Sequence, residues 1–416
     1  MMTYSHPRYR WVIAAASAGM LAISMGLLVN GLSPFFVPLE AEFGWSRGEI
    51  ALINTFGLIG LGVGGIVMGR VTDRVGVRGV VMTGAIVTGL TVLAAAQAQS
   101  LWQLYALFFF AGAFGGGALF APLMAAVGSW FRTGAGLAIG LVAAGQAAGQ
   151  GGIPLASALL IEAVGWRGAL LSLGLVSLAT LVPLALLIRQ PPAASAQAAS
   201  PGDDVPTLKA IPSVLIMGAA VLMCCALMSV PLMHLVPYAQ GCGIPAAQAG
   251  GIVTVMMLAA IAGRVAFGQL ADWIGAIPAY LTASAWQTAL VFVFMQLDSL
   301  DQLMAFAPVY GFGYAGVMTG VLVTIRRVTP VASRATCTGV IIAFAWAGHG
   351  LGGVVGGYLY DMTATYDLTF AVAALAGVVN LAIIGSLGLW LVRDRIKTLT
   401  MRPLPTAQDE TYVALK

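Results

Sequence analysis

The sequence predicts an all-α, polytopic membrane protein, with twelve transmembrane helices in two pseudo-symmetric six-helix bundles. Three observations predict it. Of 416 residues, 60% are hydrophobic and only 8% charged, where a soluble domain carries about 25% charged residues. The mean hydropathy is +0.94. The apolar residues fall in runs of the length that a helix needs to cross hydrocarbon, about 20 residues. They do not show the ten-residue alternation of a barrel strand. So apolar a surface excludes an ordinary soluble enzyme, a disordered chain and a collagen-like fibre. The net charge of +4 comes from scattered loop residues and offers no nucleic-acid patch.

Twelve runs read as spans: 11–37, 48–68, 79–98, 101–127, 135–161, 167–189, 210–239, 247–271, 278–297, 301–325, 335–360 and 367–392. The first is too long for a signal-peptide core and is taken as a retained helix. The longest polar stretch, QPPAASAQAASPGDDVPTLK at 190–209, reads as a flexible linker. It separates an N-terminal bundle (1–189) from a C-terminal bundle (210–393), and 394–416 reads as a polar tail. With both termini placed in the cytoplasm, sixteen of the nineteen Lys and Arg residues lie on the cytoplasmic side. Only Arg47 and Arg167 lie opposite, and Arg264 falls within a span. That asymmetry is the positive-inside pattern. The expectation is a monomeric multi-pass protein of the cell (inner) membrane with both ends cytoplasmic. Cys224 and Cys225 sit in an apolar run and read as packing, and no cysteine spacing suggests a metal.

The two halves echo each other at one offset. GRVTDRVG at 69–76 aligns with GQLADWIG at 268–275, a shift of 199 residues. The same shift places Gly140 on Gly339, Gly149 on Gly348, Gly151 on Gly350 and Glu162 on Asp361. A duplicated six-helix unit, with a substrate site between the halves near the midplane, is a standard transporter layout.

GRVTDRVGVR at 69–78, between the second and third spans, resembles the loop signature of the major facilitator superfamily, and GQLADWIG is its half-copy. The resemblance covers residues 11 to 393. It implies the major facilitator fold, with Asp73, Arg74 and Asp272 latching a cytoplasmic gate. WFRTGAGLAIGLVAAGQAAG at 130–149 is similar to the fifth-helix signature of the monocarboxylate transporters, and FGWSR at 43–47 also occurs there and in the oxalate–formate antiporters. Both families place a substrate-binding arginine in the eighth helix. The animal members carry an acidic residue one turn before it, where this chain has Ala260, so their proton relay does not transfer.

The residues themselves point to the same arginine. Arg264 precedes Asp272 by eight residues, about 12 Å along a helix, which puts it near the midplane. An arginine there costs about 2.5 to 3.5 kcal/mol, and every acidic residue falls in a loop or at a helix end. The expectation is an unpaired cation that faces a water-filled cavity and binds a carboxylate through two parallel hydrogen bonds. His349, in WAGHGLGG at 346–353, also lies near the midplane and aligns with Gln150. It is a substrate-site and proton-coupling candidate. His234 is a second proton-coupling candidate. Tyr105, Gln146, Tyr310 and Tyr314 are expected to line the site.

The function expected is secondary active transport of small organic anions. The narrowest form is proton-coupled symport of lactate- or pyruvate-like monocarboxylates by alternating access. An oxalate–formate type carboxylate antiporter is the alternative, with drug efflux or a non-transporting receptor behind it. No Walker signature is present, no cofactor or metal is expected, and no nucleophile–base constellation suggests an enzyme.

Overall fold

Backbone amides in a lipid-like interior must bond to one another, and the chain does so with helices throughout. The computed structural model describes residues 8–131, 135–190, 208–330 and 334–400, and among these there is no strand. α1 is Tyr9–Met25 and continues through a π turn, Gly26–Asn30, and a short helix, Phe36–Phe43. α2 is Arg47–Val75 and α3 is Val77–Ala95. α4 joins Leu101–Phe110, a π turn at Ala111–Gly116 and Gly117–Trp130. The next helix, Ala135–Leu187, is broken at Gly165, where φ is 73° and ψ 169°. Trp130 Nε1, just before it, donates to Arg189 O, just after it, at 3.2 Å. The chain has therefore returned to its starting face, and the run is two crossings, α5 (135–164) and α6 (166–187). α7 is Ala210–Gly241, α8 Ala246–Ile274 and α9 Ala276–Leu290. α10 is Leu300–Val328, α11 Arg334–Thr363 and α12 Asp367–Thr400. Among the described residues, eleven continuous helices are long and apolar enough to span a membrane, and the break at Gly165 makes the crossings twelve.

Several helices overrun the spans that hydropathy suggests, because a helix does not stop where the hydrocarbon does. α2 runs to Val75 rather than 68, and α12 to Thr400 rather than 392. The first seven residues of the expected tail, 394–400, are thus helical. The rest of it, and linker residues 191–207, lie outside the described residues.

The 199-residue echo is structural. Gly76 and Gly275, at the ends of α2 and α8, share left-handed φ values of 88° and 94°, a conformation that favours glycine. A Cβ on Gly64 would overlap Ala113 O, and one on its counterpart Gly263 would overlap Phe312 O. Both replicas thus bring backbones into contact where only glycine fits. The π turn of α1 leaves carbonyls short of helical partners. Asn54 Nδ2, buried on α2, donates to Leu28 O at 2.6 Å and Val29 O at 3.2 Å. Asn30 Nδ2 donates to Gln150 O, tying the turn to α5.

Candidate functional site

The halves meet in two ways: at a closed seam on the face opposite the termini, and around a cavity nearer the terminal face. The seam is built from helix ends. Arg47 N and Gly48 N, at the start of α2, donate to the Asp361 carboxylate near the end of α11 at 2.9 and 2.8 Å. At the related position, Ala247 N of α8 donates to Glu162 Oε1 of α5 at 2.9 Å. A carboxylate on a helix N-terminus answers both its orphan amides and its partial positive charge. Two turns deeper, Thr55 Oγ1 donates to Gly350 O at 2.9 Å, and Thr254 Oγ1 to Gly151 O at 2.7 Å. These pairs are 199-residue counterparts as well. Arg47 adds bonds to Glu40 (3.1 Å) and Tyr366 Oη (2.8 Å) and lies over the Tyr360 ring at 3.9 Å. Beside the seam, Glu42 accepts from Trp166 Nε1 at 2.6 Å and from Arg167. These two donors hold its carboxyl below the usual carboxylate range.

The cavity has a volume of about 340 Å³. α5 lines it with Ile139, Ala143, Gln146 and Gln150, and α11 with Thr338, Ile342, Ala345, Trp346 and His349. Four of the α11 residues are the 199-residue counterparts of the four on α5. Spacings of three and four put each set on one helix face. Arg264 from α8, Cys225 from α7 and Tyr314 from α10 complete the polar wall.

Arg264 has a protein partner where the sequence suggested none. Its Nη1 donates to Ala143 O at 3.0 Å, across the junction of the halves. Its Nε is buried with no hydrogen-bond partner. The two ion pairs among the described residues are Arg47–Glu40 and Arg167–Glu42, so no carboxylate there neutralises Arg264. A buried donor left over in this way calls for a ligand or water. His349 lines the same cavity, its ring 6.0 Å from that of Trp346. Gln146 and Tyr314 line it too.

Three expected site residues lie elsewhere. Tyr105 is in the second turn of α4, too near the seam end to reach the cavity. It stacks on Phe56 at 4.9 Å and donates to Glu49 O at 3.0 Å. Tyr310 is fully buried among Phe294, Phe306 and Tyr314, so one turn of α10 separates a core tyrosine from a lining one. His234 is fully buried behind the seam, between Phe36 and Tyr366, with Nε2 2.8 Å from Gly353 O. Of the expected gate residues, Arg74 and Asp272 are exposed and form no ion pair among the described residues. The Asp73 side chain lies outside the described residues. The seam carboxylates and Arg47 were not expected as functional groups. The alignment of Glu162 with Asp361 was their one signal.

Two six-helix halves around a polar-tipped cavity, closed at one end, define a membrane transporter. The chain belongs to the Major Facilitator Superfamily, whose family model matches residues 17–307 and 231–408. It is 30% identical over 378 residues to Monocarboxylate transporter 11 of Homo sapiens, covering 86% of this chain and 79% of that protein. It is 26% identical to Monocarboxylate transporter 13 of Bos taurus, covering 87% and 85%. Among solved structures it is similar to the nucleoside transporter NupG, with a TM-score of 0.73 at 12% identity over 91% of this chain and 99% of that one. A bacterial homolog of the human lysosomal transporter Spinster gives a TM-score of 0.68 at 14% identity, over 97% of this chain and 100% of that one. The resemblance to monocarboxylate transporters and the twelve-crossing fold thus both stand.

Proposed function

We propose that this protein is a proton-coupled symporter of monocarboxylates in the cell (inner) membrane, with Arg264 binding the substrate carboxylate. The observation that carries this reading is a guanidinium on the wall of the inter-half cavity with no acidic partner among the described residues and an unsatisfied Nε. Holding such a group at mid-depth is costly, and a carboxylate supplies both the charge and the planar acceptor that a guanidinium prefers. Likeness to two proteins named monocarboxylate transporters points the same way.

His349 lines the same space, so a proton on its imidazole and an anion on Arg264 favour each other's presence. That mutual stabilisation is a physical basis for symport. Gln146 and Tyr314 supply neutral polar contacts. The positive-inside rule puts the terminal face in the cytoplasm, so the seam is the outer gate and this conformation faces inward. Rocking of the halves opens the seam and closes the opposite end, where Asp73, Arg74 and Asp272 serve the closed state.

The test is uptake of labelled monocarboxylates into proteoliposomes under an inward proton gradient, in wild type and Arg264→Lys. Gradient-driven uptake that the lysine variant loses supports the reading. Near-normal uptake by Arg264→Lys removes the two-bond clamp. Transport only in exchange for internal carboxylate would make the protein an antiporter.

A further inference from the structure

We propose that the cavity selects monocarboxylates with an apolar, aromatic body over three-carbon acids and over dicarboxylates. The inference rests on Arg264 as the carboxylate site and says what the rest of the cavity receives.

The charge inventory comes first. Arg264 is the one arginine or lysine among the described lining residues. A second carboxylate held in this space would have no fixed cation to meet it, and an unpaired buried charge is strongly disfavoured. The pseudo-symmetric position of Arg264 in the first half is Gly65, whose missing side chain leaves open space. His349 adds a second positive charge only when protonated, so with a neutral imidazole cationic recognition is one-sided, and the binding comparison is made at a pH above the ordinary histidine range.

Size comes second. At about 340 Å³ the cavity lies in the range of pockets for drug-sized ligands. A three-carbon acid clamped at Arg264 would leave most of it to water. The lining comes third. Beyond the polar wall stand Phe120 and Met124 of α4, Met228 of α7, Met318 and Leu322 of α10, and Trp346 of α11. Methionine is flexible and polarisable and packs well against aromatic rings. Phe120 and Trp346 come from opposite halves and meet edge to face, with centroids 5.9 Å apart at 87°. A ring inserted beside them extends an aromatic contact that already spans the junction. On the α5 side, Gln146 and Gln150 project neutral amides into the same space, which suits a keto, hydroxyl or ring-heteroatom group on the same molecule.

The geometry thus points to an aryl-substituted monocarboxylate with its carboxylate on α8 and its ring between α4, α10 and α11. The test measures binding to the purified full-length protein by calorimetry, using acetate, pyruvate, succinate, phenylacetate, phenylpyruvate and phenylacetamide. Phenylacetate should bind at least tenfold more tightly than acetate, phenylpyruvate at least tenfold more tightly than pyruvate, and succinate no better than acetate. Phe120→Leu, which keeps an apolar side chain, should reduce the ratio of phenylacetate to acetate affinity. Equal affinities for acetate and phenylacetate, or tighter binding of succinate than of either, overturn the proposal while leaving the carboxylate site intact. Phenylacetamide binding as well as phenylacetate would instead overturn the carboxylate role of Arg264, and this proposal with it.

Discussion

At the seam, residues related by the 199-residue offset make the same bonds. Thr55 and Thr254 each donate to a glycine carbonyl of the opposite half, and Asp361 and Glu162 each cap a helix start across the junction. Where the second half lines the cavity, the related positions of the first half carry different chemistry. Gly65 stands where the second half has Arg264, Gly115 where it has Tyr314, Gly26 where it has Cys225, and Gln150 where it has His349. The first half lines the cavity with the amides of Gln146 and Gln150, and the second supplies the cation, the imidazole and the phenol. Two rigid bodies that rock about a shared axis meet at matched points, so a duplicated seam serves both. A monocarboxylate, the proposed substrate, has no such symmetry, and a site for it is free to lose it. Gly26 and Gly115 lie in the π turns of α1 and α4, whereas Cys225 and Tyr314 lie in continuous α-helix. The asymmetry therefore reaches the backbone.

The comparison can be broken most severely at its asymmetric pole. Arg264→Lys keeps the charge and loses the planar fork. Uptake should fall by at least about tenfold, the scale of one charge-assisted bond at roughly 1.5–3 kcal/mol, measured as initial rates in proteoliposomes. His349→Gln should leave folding intact but flatten the dependence of uptake on external pH. An unchanged pH profile would remove His349 from coupling.

The seam offers a graded series. Asp361→Asn weakens two amide caps beside Arg47, and Glu162→Gln weakens one. Distances between spin labels on the outer ends of the halves should shift toward the open population in both variants, more in Asp361→Asn, by about 1–2 kcal/mol. Thr55→Val and Thr254→Val should each shift the same distances by a smaller and mutually equal amount, about 0.6 kcal/mol. A clear difference between the two threonines would show that the seam is not a true two-fold.

The smallest effect lies outside the symmetric set. Hydrogen bonds from Trp166 and Arg167 hold the Glu42 carboxyl below its ordinary value. The folded form therefore binds that proton less readily than the unfolded form. Its stabilisation is complete above the ordinary carboxylate range and is lost as pH falls through the depressed folded value. Wild type should exceed Glu42→Gln in thermal stability at neutral pH by a small margin that disappears in acid. A margin independent of pH would assign the effect to packing.

Much of this was legible in the residues. Apolar run length gave the crossings, because hydrocarbon thickness sets a minimum helix length and no polar run can meet it. The fifth and sixth crossings were read as separate runs, and the structure shows how the chain turns between them. Gly165 breaks the helix with a single positive-φ residue, and Arg189 returns to Trp130. Arg264, Gln146, Tyr314 and His349 were expected to line the site, and they do share a cavity. Tyr105, Tyr310 and His234 were as polar, yet Tyr105 and His234 lie by the seam and Tyr310 faces packing. A tyrosine that finds a backbone carbonyl or an aromatic cluster has no need of the cavity, and one turn of helix decides between them.

The sequence alone determined the membrane environment, the duplication and the lone mid-depth cation. Each follows from transfer free energy or from repetition, which act residue by residue. Only the tertiary structure decided which polar residues converge, that Arg264 is partly held by Ala143 O across the junction, and that Asp361 and Glu162 join the halves. These depend on helix rotation and on contacts between residues some 85 to 315 positions apart, which no local pattern encodes.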